Sequence, residues 1–129
     1  MIYLSDNENV YAIVCEDNEK LPETLIKELF EIKVYEILDK CGIPNYYIGY
    51  EFLKDAIIIV LDESESNWIT KTVYPKIASK HGTNISCVDS NMRHAINIAW
   101  ASGKLPKYTT LGLKPSNSQF IFLISNMLK

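Results

Sequence analysis

Cys87 and His94 are the nearest approach in this sequence to a nucleophile with its base. Seven residues of helix separate them by two turns, about 10 Å on one face, which is beyond hydrogen-bond reach. His81 stands before Gly82 at the expected end of another helix, where an imidazole suits the negative end of the dipole. Glu28, Glu31 and Glu36 form a solvated acidic face, and their segment offers no partner for acid–base work. The three cysteines, Cys15, Cys41 and Cys87, are far apart and share no C-x-x-C spacing. They read as reduced thiols, not as a zinc site or a disulfide framework. No pair meets the geometric test for catalysis, so an enzyme is not expected, and neither a metal nor a cofactor is implied.

Recognition is the chemistry that the remaining polar residues can perform. Val88, Met92, Ala95, Ile96, Ala99 and Trp100 recur at spacings of three and four, one apolar face of a helix over 86–101. The opposite face carries Ser86, Ser90, Arg93, His94 and Asn97, all able to hydrogen-bond and none acidic. Arg93 is the side chain there that can grip guanine O6 and N7 with two donors. An earlier helix, from Trp68 to Lys80, carries Pro75 and ends at His81-Gly82. Pro75 predicts a kink or a late start near Val73, since it has no N–H to donate. Ser86 with Asp89 predicts a capping box opening the second helix. Helix, tight turn and polar second helix over about 69–101 form the pattern of a helix-turn-helix entering a DNA groove. Lys71, Lys76, Lys80, Lys104, Lys107 and Lys114 would then contact phosphates, and the polar face of 86–101 would contact base edges.

The charge distribution agrees with that division. Overall the 129 residues carry −3, yet residues 1–65 hold five Lys against fifteen Asp and Glu, whereas residues 66–129 hold seven Lys and Arg93 against Asp89 alone. A +7 half beside a −10 half is an electrostatic footprint for a polyanion on the half with the paired helices. At 47% hydrophobic and 22% charged the composition is globular. The densest apolar run, Ala56–Leu61, is far too short to span a membrane, and no signal peptide opens the chain, so a cytoplasmic location is expected.

The expected fold is mainly α, a helical bundle containing the helix-turn-helix, with a short N-terminal β-hairpin. Ile2–Leu4 and Val10–Val14 flank the polar turn Asp6–Asn9 and give the hairpin, an extension over 1–21. A hairpin alone is marginal in water, so it should dock on the helices or on another chain. The helical domain over 22–129 opens at Pro22-Glu23. Leu25, Ile26, Leu29, Phe30, Ile37 and Leu38 form the stripe of its first helix, which Gly42 and Pro44 end. A second helix runs to about Asp62, a polar linker follows in which Ser66 or Asn67 can cap, and a last helix spans about Ser116–Leu128. Tyr46, Tyr47 and Tyr50 read as core and boundary packing beside the second helix.

Three ordered blocks carry a family resemblance. Ile69-Thr-Lys-x-x-Tyr74-Pro75-x-Ile77-Ala78-x-Lys80, then Arg93-His94-Ala95-Ile96-x-x-Ala99-Trp100-x-x-Gly103, then Lys114-Pro115-x-Asn117-Ser118-x-Phe120-Ile121 resemble the C-terminal effector domain of the stage-zero sporulation response regulator. Gly49, Tyr50, Leu53, Ala56 and Ile57 match a further pattern of that domain, and the likeness covers roughly Ile43 to Lys129. Residues 1–42 do not resemble the family's phosphorylatable receiver, and a hairpin–helix extension is expected there instead. The resemblance implies a sequence-specific DNA-binding regulator of transcription. Its implied partners are double-stranded DNA, with RNA polymerase a further candidate and a head-to-tail pair on tandem sites the candidate assembly. The family's recognition helix carries arginines where Cys87 and Ser90 stand, which implies a weaker or altered base preference here. The rival expectation is a paralogue with weak DNA affinity, acting as an interaction module on a transcription regulator or RNA polymerase.

Overall fold

A computed structural model describes the backbone of residues 2–5, 10–13, 23–62, 69–109 and 112–128, and the side chains of 25–62, 71–109 and 112–128. Strands β1 (Ile2–Ser5) and β2 (Val10–Ile13) pair antiparallel, with Ile2 opposite Ile13 and Ser5 opposite Val10. The turn expected at 6–9 and the capping residues Ser66 and Asn67 lie outside the described residues, as does Cys15.

Helices dominate the remainder: α1 (Glu23–Lys40), α2 (Ile48–Asp62), α3 (Tyr74–His81), α4 (Ile85–Ala101) and α5 (Asn117–Leu128). Helix α2 is the hub, packing on α1, α3, α4 and α5. Its sequence explains why. Phe52, Leu53, Ala56, Ile57, Ile58 and Val60 are buried around most of its circumference, the pattern of a helix enclosed by others. Gly49 permits the closest of these approaches. A Cβ there would stand 2.2 Å from the Asn91 carbonyl oxygen of α4, and 2.9 Å from the Ala95 Cβ. Only a residue without a side chain lets the two backbones meet.

The core that results joins Leu38 and Val34 of α1, Ile77 of α3, Val88, Met92 and Ile96 of α4, and Phe120, Ile121 and Ile124 of α5. The expected α1 stripe is buried at its C-terminal end alone. Val34, absent from that stripe, is fully buried, while Ile26 and Phe30 are 37% and 38% exposed. Phe30 instead lines a shallow cleft of about 220 Å³ with Ile58, Leu61 and Leu128, which the first turns of α1 leave open.

The helix expected from Trp68 to Lys80 divides into a π-turn at Ile69–Val73 and α3 proper. Pro75 lies in the first turn of α3. It has no N–H for the carbonyl four residues back, so the regular ladder starts late, as its position implies. Gly82 ends α3 in the left-handed conformation at φ 65°, and the Thr83 N–H donates to the Ala78 carbonyl at 2.9 Å. That turn leaves Thr83 and Asn84 to reverse the chain.

Asn84 then caps α4: its Oδ1 accepts the Cys87 N–H at 2.8 Å. The capping box expected from Ser86 and Asp89 does not form, because Ser86 is already inside the helix. Asparagine ranks with the strongest N-caps, and its position one residue before Ile85 pre-empts the serine. The box occurs instead at α5, where the Gln119 N–H donates to Ser116 Oγ at 3.2 Å and the Ser116 N–H donates to Gln119 Oε1 at 2.9 Å.

Candidate nucleic-acid interface

Helix α4 buries Val88, Met92, Ala95, Ile96 and Ala99, and the opposite side therefore faces water. Ser86, Ser90, Arg93, His94 and Asn97 are all exposed there. Spacings of four, three and four align Ser86, Ser90, Arg93 and Asn97 in one stripe about 16 Å long. His94 lies to one side of it, and its ring meets Tyr47 edge-on at a centroid distance of 5.3 Å.

Arg93 is not a loose side chain. Its guanidinium pairs with Asp89, one turn earlier on the same helix. Asp89 is itself held in place, since its Oδ1 accepts from the Tyr74 hydroxyl at 3.2 Å and from Asn117 Nδ2 at 3.1 Å. Asn117 is 8% exposed and also donates to the Asp89 carbonyl at 3.0 Å and to the Tyr74 oxygen at 3.1 Å. Burial is the main cause raising the Tyr74 phenol above its ordinary pKa, with the nearby Asp89 charge adding to it, so the hydroxyl stays protonated and donates. The Tyr74–Asp89–Asn117 latch thus ties α3, α4 and the start of α5 together under Arg93. In the sequence Asp89 reads as a capping residue and Tyr74 and Asn117 only as motif positions, and nothing there joins the three. Their partners are 15 to 43 residues distant in the chain, and no local pattern announces them.

Beside the stripe opens a cleft of about 460 Å³, lined by Arg93, Asn97, Lys114, Ser116 and Gln119 over a floor of Tyr74, Ile96 and Asn117. The Lys114 ammonium donates to Asn97 Oδ1 across its mouth. Of the residues expected at the interface, the fold therefore brings Arg93, Asn97 and Lys114 to one place. Ser86 and Ser90 extend the same stripe toward the start of α4, where Ser90 Oγ donates to the Cys87 carbonyl at 3.3 Å. Lys71, Lys76 and Lys107 are exposed outside the cleft lining, and exposed Lys104 lies against Gly42 after α1.

Lys80 has a second task. Its ammonium is 3.0 Å from Asp55, a carboxylate with only 6% of its side chain exposed. Lys54 approaches the same oxygen at 2.8 Å, and His81 Nε2 lies 2.6 Å from the other. Burial alone would raise the Asp55 pKa, but the contacts from His81, Lys54 and Lys80 outweigh it and hold the carboxyl below its ordinary value. His81 is therefore the clamp that joins the end of α3 to α2, in addition to sitting at the helix terminus. Cys41, the thiol that ends α1, is fully buried, and burial pushes it up to about 12, where it is inert.

The arrangement offers a hydrogen-bonding helix face that carries Arg93, has Lys114 beside it, and is braced from beneath by polar contacts. The family model described as sporulation initiation factor Spo0A C terminal matches residues 34–128, well over half of the chain. Its span takes in α1 from Val34 onward and every residue of the latch. The protein with this braced helix face belongs to the Spo0A C-terminal family, whose members are DNA-binding regulators of sporulation transcription.

Proposed function

We propose that this chain is a sequence-specific DNA-binding regulator in which α3 and α4 form a helix-turn-helix and α4 reads the major groove. The observation that carries the reading is the Ser86–Ser90–Arg93–Asn97 stripe, exposed opposite a fully buried face and flanked by Lys114. Arg93 makes the principal base contact, to guanine, with Asp89 holding its guanidinium in position as it reaches the base. Asn97 reads a neighbouring base edge, while Ser86, Ser90 and His94 make the remaining contacts along the stripe. Lys71, Lys76, Lys80, Lys104, Lys107 and Lys114 neutralise phosphates on either side. Two copies bind tandem sites head to tail, an open arrangement that does not require a dimer without DNA. RNA polymerase is the downstream partner.

A titration of the chain on a selected duplex and a scrambled one, each across a salt series, tests the reading. Arg93→Ala should erase about 1–3 kcal/mol of preference for the selected site. Lys114→Ala should weaken both duplexes alike and reduce the salt slope by about one. Absence of duplex binding at low salt would refute the proposal and favour an interaction module acting on another transcription protein.

A further inference from the structure

Tyr46 is 80% exposed, an unusual fraction for an aromatic side chain in a short connection between two helices. Its ring lies 4.9 Å from that of Tyr47, which in turn meets the edge of His94 on α4. Both ends of this connection are fixed to the same neighbourhood. Gly49 sits against the Asn91 backbone in the middle of α4, and Gly42 sits against Ser102 and Lys104 just beyond its end. The tyrosines thus stand along one side of α4, with Tyr47 against His94 and Tyr46 against Tyr47.

The position of the tyrosines follows from helix geometry. At about 100° per residue, His94 lies about 70° round from the mean direction of Ser86, Ser90, Arg93 and Asn97, toward Asn91. Asp89 and Ile96, which border the Lys114 cleft, lie on the other side. The exposed stripe therefore has two flanks, one bearing Lys114 and Ser116, the other bearing Tyr47 and Tyr46. A helix about 10–12 Å across nearly fills a major groove about 12 Å wide, so a sugar–phosphate strand passes each flank.

Resting on the reading of α4 as the groove helix, we infer that Tyr46 and Tyr47 are the contact for the second DNA strand. Tyr46 packs its ring on a deoxyribose and donates its hydroxyl to a phosphate oxygen, a role tyrosine shares with the basic residues at such interfaces. Lys104, against the start of the same connection, supplies the nearby positive charge. The site takes duplex backbone and reads no base.

Tyr46→Ala and Tyr46→Phe in the full chain test this by anisotropy on the selected and scrambled duplexes over a salt series. Because the side chain is exposed, both variants should melt with the parent protein. Tyr46→Ala should weaken both duplexes about threefold to tenfold, the worth of one hydrogen bond and its packing. Its salt slope should stay unchanged, since a neutral side chain releases no counterion. Tyr46→Phe should recover the part due to the ring, and footprinting should lose protection on one strand at one edge of the site. Unchanged affinity for Tyr46→Ala, with the parent chain bound normally, would overturn the inference and leave the reading of α4 intact. A loss confined to the selected duplex would overturn the backbone assignment. A parent chain that binds no duplex overturns both.

Discussion

Asp55→Asn isolates the buried charge cluster that fixes α3 on α2. The substitution keeps the shape of the side chain and removes its charge. What remains is Lys54, whose side chain is 8% exposed, with Glu51 at 3.8 Å and the charge of Glu31 as its other acidic neighbours. Breaking a buried pair by removing one partner typically costs about 3–5 kcal/mol. Glu51 is 39% exposed and retains a share of the interaction, which places the expected loss near the lower end, about 3 kcal/mol. Lys80 adds little, since its side chain is 59% exposed and water screens it to about 1 kcal/mol or less. For a domain of this size the change corresponds to roughly 10–15 °C in Tm. Thermal and urea unfolding followed by circular dichroism would measure it, with Lys80→Ala as the comparison. The pH dependence has a definite direction. The Asp55 pKa is lowered in the folded state, so its contribution is complete above the unfolded value of about 3.9 and is lost as pH falls through the folded value. Asp55→Asn should therefore flatten the stability profile on the acid side. A loss below about 1 kcal/mol would mean that the cluster does not brace the helices, and the reasoning would fall.

Two further substitutions probe how the candidate interface is held. Asn117→Ala removes the donor shared by Asp89 and Tyr74, and should cost about 1–3 kcal/mol in urea unfolding. It should also weaken preference for the selected duplex, because Arg93 loses its anchored partner; wild-type preference with reduced stability would confine the latch to a structural role. Gly49→Ala should destabilise by about 1–3 kcal/mol despite the better helix propensity of alanine, because the added carbon meets the Asn91 backbone, which cannot yield like a flexible side chain. A melting temperature above that of the parent chain would contradict the close approach of α2 and α4.

Periodicity alone located α4 and chose its inward face. Val88, Met92, Ala95, Ile96 and Ala99 are buried because a 3.6-residue repeat leaves such a helix no other way to shed apolar surface. Pro75 and Gly82 likewise determined the late start and the end of α3 through backbone constraints that act locally. The asymmetry of charge and the three ordered blocks were also legible, and the family match over residues 34–128 agrees with them. The supports of the site were not. Asp55 and Lys54 sit in a run that reads as apolar, and their meaning depends on Lys80 and His81, which are 25 and 26 residues past Asp55. Asn117 was visible as part of a motif, but its bonds to Tyr74 and Asp89 exist only once α3, α4 and α5 converge. The cap of α4 falls on Asn84 and not on Ser86, because the turn after Gly82 sets Asn84 immediately before the first helical residue. Spacing along one helix is a local property that a sequence states directly. Which distant polar groups share a dry interior is decided when the helices pack, since a buried charge is tolerated only where its partners arrive with it.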